Sequence, residues 1–114
     1  MTPSPQIITK VYDFLLYLIP QVSKFPRSQR YLVGDRLEAV SFDLLEILLE
    51  AVYLHEKIPL LNSANVKLEQ VRYYARLCKD LKLMNLHTYE VLSKMINEIG
   101  IQLGGWIKQQ KSRA

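Results

Sequence analysis

From Pro26 to Lys57 apolar residues recur at intervals of three and four, the spacing of one helical face at about 100° per residue. Val33, Leu37, Val40, Leu44, Ile47, Leu48, Ala51 and Leu54 form that face. Roughly a third of a turn round, Tyr31, Phe42, Leu45, Leu49, Val52 and Tyr53 form a second one, leaving a narrow polar strip of Asp35, Asp43, Glu46 and Glu50. One face can pack inside a protomer, but a helix that is apolar over most of its circumference needs a second burial partner. In a chain of 114 residues that partner is another copy, with Tyr31, Phe42, Leu45, Leu49 and Tyr53 as the expected contact.

Three further helices emerge from the same periodicity. The first starts near Gln6 and presents Ile7, Ile8, Val11, Phe14, Leu15, Leu18 and Ile19 on one broad face. Pro20 ends or kinks it, because proline removes a backbone donor and crowds the preceding turn; a kink is expected, with the turn itself at Lys24-Phe25. Pro26 then suits the first turn of the second helix, which should stop near Lys57 because Ile58 precedes Pro59. Asn62 and Ser63, or Asn65, can cap a third helix that runs to about Met84 with Val71, Tyr74, Leu77, Cys78 and Leu81 as its apolar arc. After a break at Asn85 the fourth helix carries Tyr89, Leu92, Met95, Ile96, Ile99, Leu103, Trp106 and Ile107 on one face, with Trp106 expected to fill the end of the core. Gly100, Gly104 and Gly105 fall inside it, which implies close approach of a neighbouring helix, or a bend at Gly104-Gly105. The fold expected is all-α, an antiparallel up-down four-helix bundle forming a single domain over 1–114, with 1–5 and 109–114 as flexible tails.

Composition narrows the function. The chain is 49% hydrophobic, ample for a core, yet no run approaches the roughly 20 apolar residues of a membrane span. The amino terminus lacks the basic opening of a secretory signal, and Cys78 is the sole cysteine, so a cytoplasmic protein without disulfides is expected. His55 and His87 lie far apart with no ligand pair at helical spacing, and Asp43, Glu46 and Glu50 have no histidine partner, so no metal, cofactor or small-molecule substrate is expected. Gly100 to Gly105 comes after no strand and offers no phosphate-binding lysine, and Cys78 lies on an apolar face. No constellation suits catalysis, and the chain reads as a non-enzyme.

Charge is more informative than its net value of +4. Residues 35–56 hold six acids and a single base, Arg36, whereas 57–82 hold six bases and two acids. Such segregation can steer one subunit against another or leave a basic surface for a polyanion. Arg72, Arg76, Lys79 and Lys82 share one edge of the third helix beside Tyr73 and Tyr74, and Lys108, Lys111 and Arg113 form a second basic cluster. The bland alternative is a solvated face, since Arg72 can reach Glu69 and Arg76 can reach Asp80.

Longer stretches carry a family likeness. Tyr12-Asp13-Phe14-Leu15-Leu16-Tyr17-Leu18-Ile19-Pro20, then Lys24-Phe25-Pro26-Arg27-Ser28-Gln29-Arg30-Tyr31 and Gly34-Asp35-Arg36-Leu37-Glu38, resemble the accessory variability determinant proteins of diversity-generating retroelements. Leu68-Glu69-Gln70-Val71-Arg72-Tyr73-Tyr74-Ala75-Arg76-Leu77 and Ile99-Gly100-Ile101-Gln102-Leu103-Gly104-Gly105-Trp106-Ile107-Lys108 are similar to that family's third and fourth helices. Weaker forms of Lys-Phe-Pro-x-x-x-Arg and Leu-Gly-Gly-Trp occur in the four-helix proteins of 23S ribosomal RNA intervening sequences. The resemblance implies a ring of five protomers that binds the retroelement's reverse transcriptase and contacts template RNA, or an RNA/DNA hybrid, through a basic surface. Such a protein supports error-prone complementary DNA synthesis and diversification of a target gene, with no catalytic residues of its own. On that resemblance Arg72 and Arg76 are the third-helix positions expected to contact the reverse transcriptase or RNA. The alternative is a structural homo-oligomer of the intervening-sequence type with no polymerase partner.

Overall fold

Helix α1 spans Gln6–Val22 and passes through Pro20 without ending. The computed structural model describes residues 6–113, so the tail expected over 1–5, and Ala114, lie outside the described residues. The turn falls where proline and phenylalanine place it: Phe25 is buried under the loop, and Pro26, with an extended ψ of 144°, stands at the N-cap of the next helix. Helix α2 begins as Arg27–Gln29, continues through a π-helical turn at Arg30–Gly34 and runs on as Asp35–Tyr53. Within that turn the Asp35 N–H donates to the Arg30 carbonyl five residues back. The wider turn carries Gly34 into the core beside Val22, where a Cβ would stand 2.7 Å from Val22 Cγ1.

Several helix boundaries differ from the sequence expectation. Helix α2 stops at Tyr53, short of Lys57, because the Lys57 ammonium folds back and donates to the carbonyls of Ala51, Val52 and Leu54 at 2.8, 3.1 and 2.6 Å. A cation at that end also complements the helix dipole. Helix α3 then starts at Ile58, with Pro59 in its first turn where no donor is lost, and runs to Asp80; Asn62, Ser63 and Asn65 lie inside it and cap nothing. It closes at Asp80 rather than Met84: the Leu83 N–H reaches the Cys78 carbonyl and the Lys82 N–H that of Lys79, both at 2.9 Å, with Lys82 left-handed at φ 63°. Helix α4 covers Leu86–Ser112, capped by Asn85, whose side chain accepts from the Thr88 N–H at 2.8 Å. It stays helical through 109–112, which the sequence reading gave to a tail.

All four elements are helical, and the described residues include no strand. They pack as a rod of 47 × 22 × 20 Å in which α1 neighbours α2 and α4, and α3 neighbours the same two. Phe14, Leu18, Leu37, Leu44, Leu48, Leu61, Leu68, Leu92, Ile96, Ile99 and Leu103 are fully buried along the axis. Lys10 reaches Glu98 at 3.2 Å to tie α1 to α4, and Lys67 reaches Asp43 at 3.5 Å to tie α3 to α2. Several expected core positions face outward instead. Ile19, Leu54, Leu77 and Leu81 are exposed, and α3 buries Leu61, Ala64, Leu68, Val71, Ala75 and Cys78. Trp106 is half-buried at the margin of the core rather than filling its end. Added methyl groups would meet only ordinary contacts at 3.5 Å at Gly100 and open space at Gly104 and Gly105, so no helix of the protomer requires these glycines, and α4 does not end there.

Candidate nucleic-acid interface

The basic edge of α3 faces α4 across a shallow, open groove of ≈ 220 Å³ lined by Glu69, Arg72, Tyr73, Arg76 and Tyr89. Helical spacing aligns the charges, while the antiparallel turn at Asn85 brings Tyr89 level with Lys79. The Lys79 ammonium lies 5.0 Å from the Tyr89 ring centroid and 3.2 Å from Asp80, so its charge is shared between a ring face and a carboxylate. Sequence reasoning missed Tyr89 as a groove residue, having placed it on the core face of its helix. Its place in the first turn of α4, across the Asn85 break from Lys79 in the last turn of α3, was the available signal.

The four cations of this edge are not equivalent. Arg72 is a brace: its Nε donates to Glu69 at 3.0 Å and its Nη1 to Asn97 Oδ1 at 2.5 Å, which joins α3 to α4 above Gly100. Arg76 is largely exposed and meets Asp80 at the long distance of 3.8 Å. Lys82 is exposed in the left-handed turn that ends α3. Left-handed backbone costs a residue with a Cβ on the order of 1–2 kcal/mol, and glycine is the usual occupant of this cap position. The lysine therefore stands where local geometry does not favour it.

Lys108, Lys111 and Arg113 are exposed but belong to the opposite end of the rod. Arg72 pairs with Asn97, and at about 1.5 Å rise per residue Lys111 lies some 20 Å further along α4, while Lys82 lies beyond Arg72 in the other direction. The two basic clusters thus form separate surfaces. The second face of α2 is left uncovered by the described residues: Tyr31, Phe42, Leu49 and Tyr53 are exposed and Leu45 is partly so. On that face the Glu38 carboxyl is pushed above its usual range, first by burial and then by Asp35, with Arg30 opposing.

Burial pushes the Cys78 thiol up to about 11, so it stays protonated near neutrality and unsuited to nucleophilic attack. Among the described residues no group of three or more His, Cys, Asp or Glu side chains could hold a metal ion. None of their helices is long and apolar enough to cross a membrane. A family model described as bAvd-like matches residues 6–110. Comparison with curated proteins gives no match.

Proposed function

Because the chain belongs to the bAvd-like family, we propose that it is a non-catalytic, self-assembling accessory protein of a diversity-generating retroelement, working in the cytoplasm with a reverse transcriptase and its template RNA. The observation that carries this reading is the α3 edge, where Arg76 and Lys82 project into solvent beside Tyr73 and the Tyr89-stacked Lys79. Cations along a helix neutralise successive phosphates without reading sequence, and neighbouring rings give unpaired bases a surface on which to stack. Repetition of that edge in an assembly raises the avidity of a weak contact, provided one RNA spans several copies. The same arginine chemistry suits carboxylates on the polymerase.

The test combines Arg76→Ala with Lys82→Gly and leaves the Arg72 brace intact. Binding of a single-stranded RNA oligonucleotide and of the reverse transcriptase is measured across a salt series. Loss of two phosphate contacts should lower the slope of log affinity against log salt by about 1.4, at unchanged helicity and assembly size. Unchanged binding of both ligands would return the edge to a solvated face and make the Lys108, Lys111 and Arg113 cluster the next candidate.

A further inference from the structure

Lys24, Arg27 and Arg30 stand in and just after the turn between α1 and α2, on different helices from the edge already described. The Arg27 and Arg30 guanidiniums lie over the Tyr31 ring, 5.8 and 6.0 Å from its centroid, and Tyr31 is 60% exposed. Arg30 Nη1 also donates to the Ser23 carbonyl at 3.4 Å, which ties the π-helical turn back across the loop. A guanidinium held flat on a ring keeps N–H donors along its edge for an anion. Among the described residues Lys24, Arg27 and Arg30 form no ion pair, whereas Arg72 is held by Glu69, and Arg76 and Lys79 share Asp80. An arriving anion displaces no carboxylate at the turn, as it must on the α3 edge.

Two ion pairs place this cluster along the rod. Asp43 meets Lys67, and Arg30 is as far before Asp43 as Asp80 is beyond Lys67, so Arg30 comes about level with the end of α3. Lys10 meets Glu98, and Lys24 is as far beyond Lys10 as Met84 is before Glu98, so Lys24 comes about level with the turn between α3 and α4. The π-helical turn also packs on α3. Lys24, Arg27 and Arg30 therefore share one end of the rod with Arg76, Lys79 and Lys82. Asp80 lies between the two groups, with its charge offset by Arg76 and Lys79. Resting on the RNA-binding role proposed above, we infer that the turn between α1 and α2 is a second phosphate-binding site, continuous with the α3 edge, for one single-stranded RNA that crosses this end of the rod past Lys82. Arg27 and Arg30 are helical neighbours, roughly 5–6 Å apart at Cβ, a spacing on the scale of successive phosphates in a strand. Tyr31 lies some 16 Å along α2 from Phe42, and the π-helical turn interrupts the register between them, which separates this site from the apolar stripe of Phe42, Leu45 and Leu49.

Binding of a single-stranded RNA oligonucleotide across a salt series decides the matter, with wild type compared with Arg27→Gln plus Arg30→Gln, with Arg76→Ala plus Lys82→Gly, and with all four substitutions together. Loss of two phosphate contacts at the turn should lower the slope of log affinity against log salt by about 1.4, and loss of all four by about 2.8. Tyr31→Leu should weaken binding severalfold at an unchanged slope, because the ring holds the guanidiniums in place and meets no phosphate itself. An unchanged slope in the turn variant would overturn the second site, and the proposed function would stand if the edge variant still lost its share. A slope lowered by the turn variant alone would support the turn and refute the α3 edge. Lost binding of the reverse transcriptase with RNA binding intact would assign the turn to a protein partner and overturn the phosphate site. Far-UV circular dichroism and assembly mass check folding, and should the Arg30 substitution cost helicity, Lys24→Gln plus Arg27→Gln, both at exposed positions, is read in the same way.

Discussion

Gly34 shows how much can rest on one hydrogen atom. It is buried where the π-helical turn brings α2 against the end of α1, and a methyl group there would meet Val22 Cγ1 at 2.7 Å. A valine in a packed interior has little rotameric freedom with which to yield. Gly34→Ala should therefore lose about 1–3 kcal/mol in chemical denaturation, although alanine is the better helix former. The sequence showed this glycine only as part of a motif, because its neighbour is twelve positions away and becomes a neighbour only on folding. Conversely, Gly104 and Gly105 looked structural in sequence and face open space. Spacing alone does not reveal whether a second helix passes over a glycine.

At the scale of the element, periodicity was enough to find four helices and most of the buried face of α1, α2 and α4, whereas on α3 only Val71 and Cys78 of the expected arc are buried. Boundaries were less legible, since they depend on which side chain satisfies the last free carbonyls. Lys57 does so for α2 through three hydrogen bonds, and no local signal announces a lysine folding back on its own helix. The end of α3 was placed too late for a related reason: Lys82 occupies the left-handed position normally held by glycine, so the sequence carried no stop signal. Lys82→Gly should raise stability by about 1 kcal/mol in thermal or chemical denaturation while removing one charge from the proposed edge. A destabilised Lys82→Gly variant would mean that the lysine side chain supports the fold. The basic stripe itself was readable from helical spacing, but the division of labour within it was not, because Asn97, which holds Arg72, comes from another helix.

For the whole molecule, the four-helix architecture and the unpartnered second face of α2 were legible in the apolar pattern. The apolar positions exposed on α1 and α3 required the packing: Ile19, Leu77 and Leu81 fit a core arc in sequence and emerge at the surface once the helices take their crossing positions. Exposed apolar area of this kind on a rod of 47 × 22 × 20 Å, with acids concentrated on α2 and bases on α3, supports the proposed self-assembly. Self-assembly therefore comes before any ligand in the proposed function. Its most direct test is the mass of the wild-type protein by light scattering at micromolar concentration over a range of salt. A discrete closed species of three or more copies, with five the number implied by the family resemblance, is the predicted result, and a stable monomer or a dimer that grows no further would contradict it.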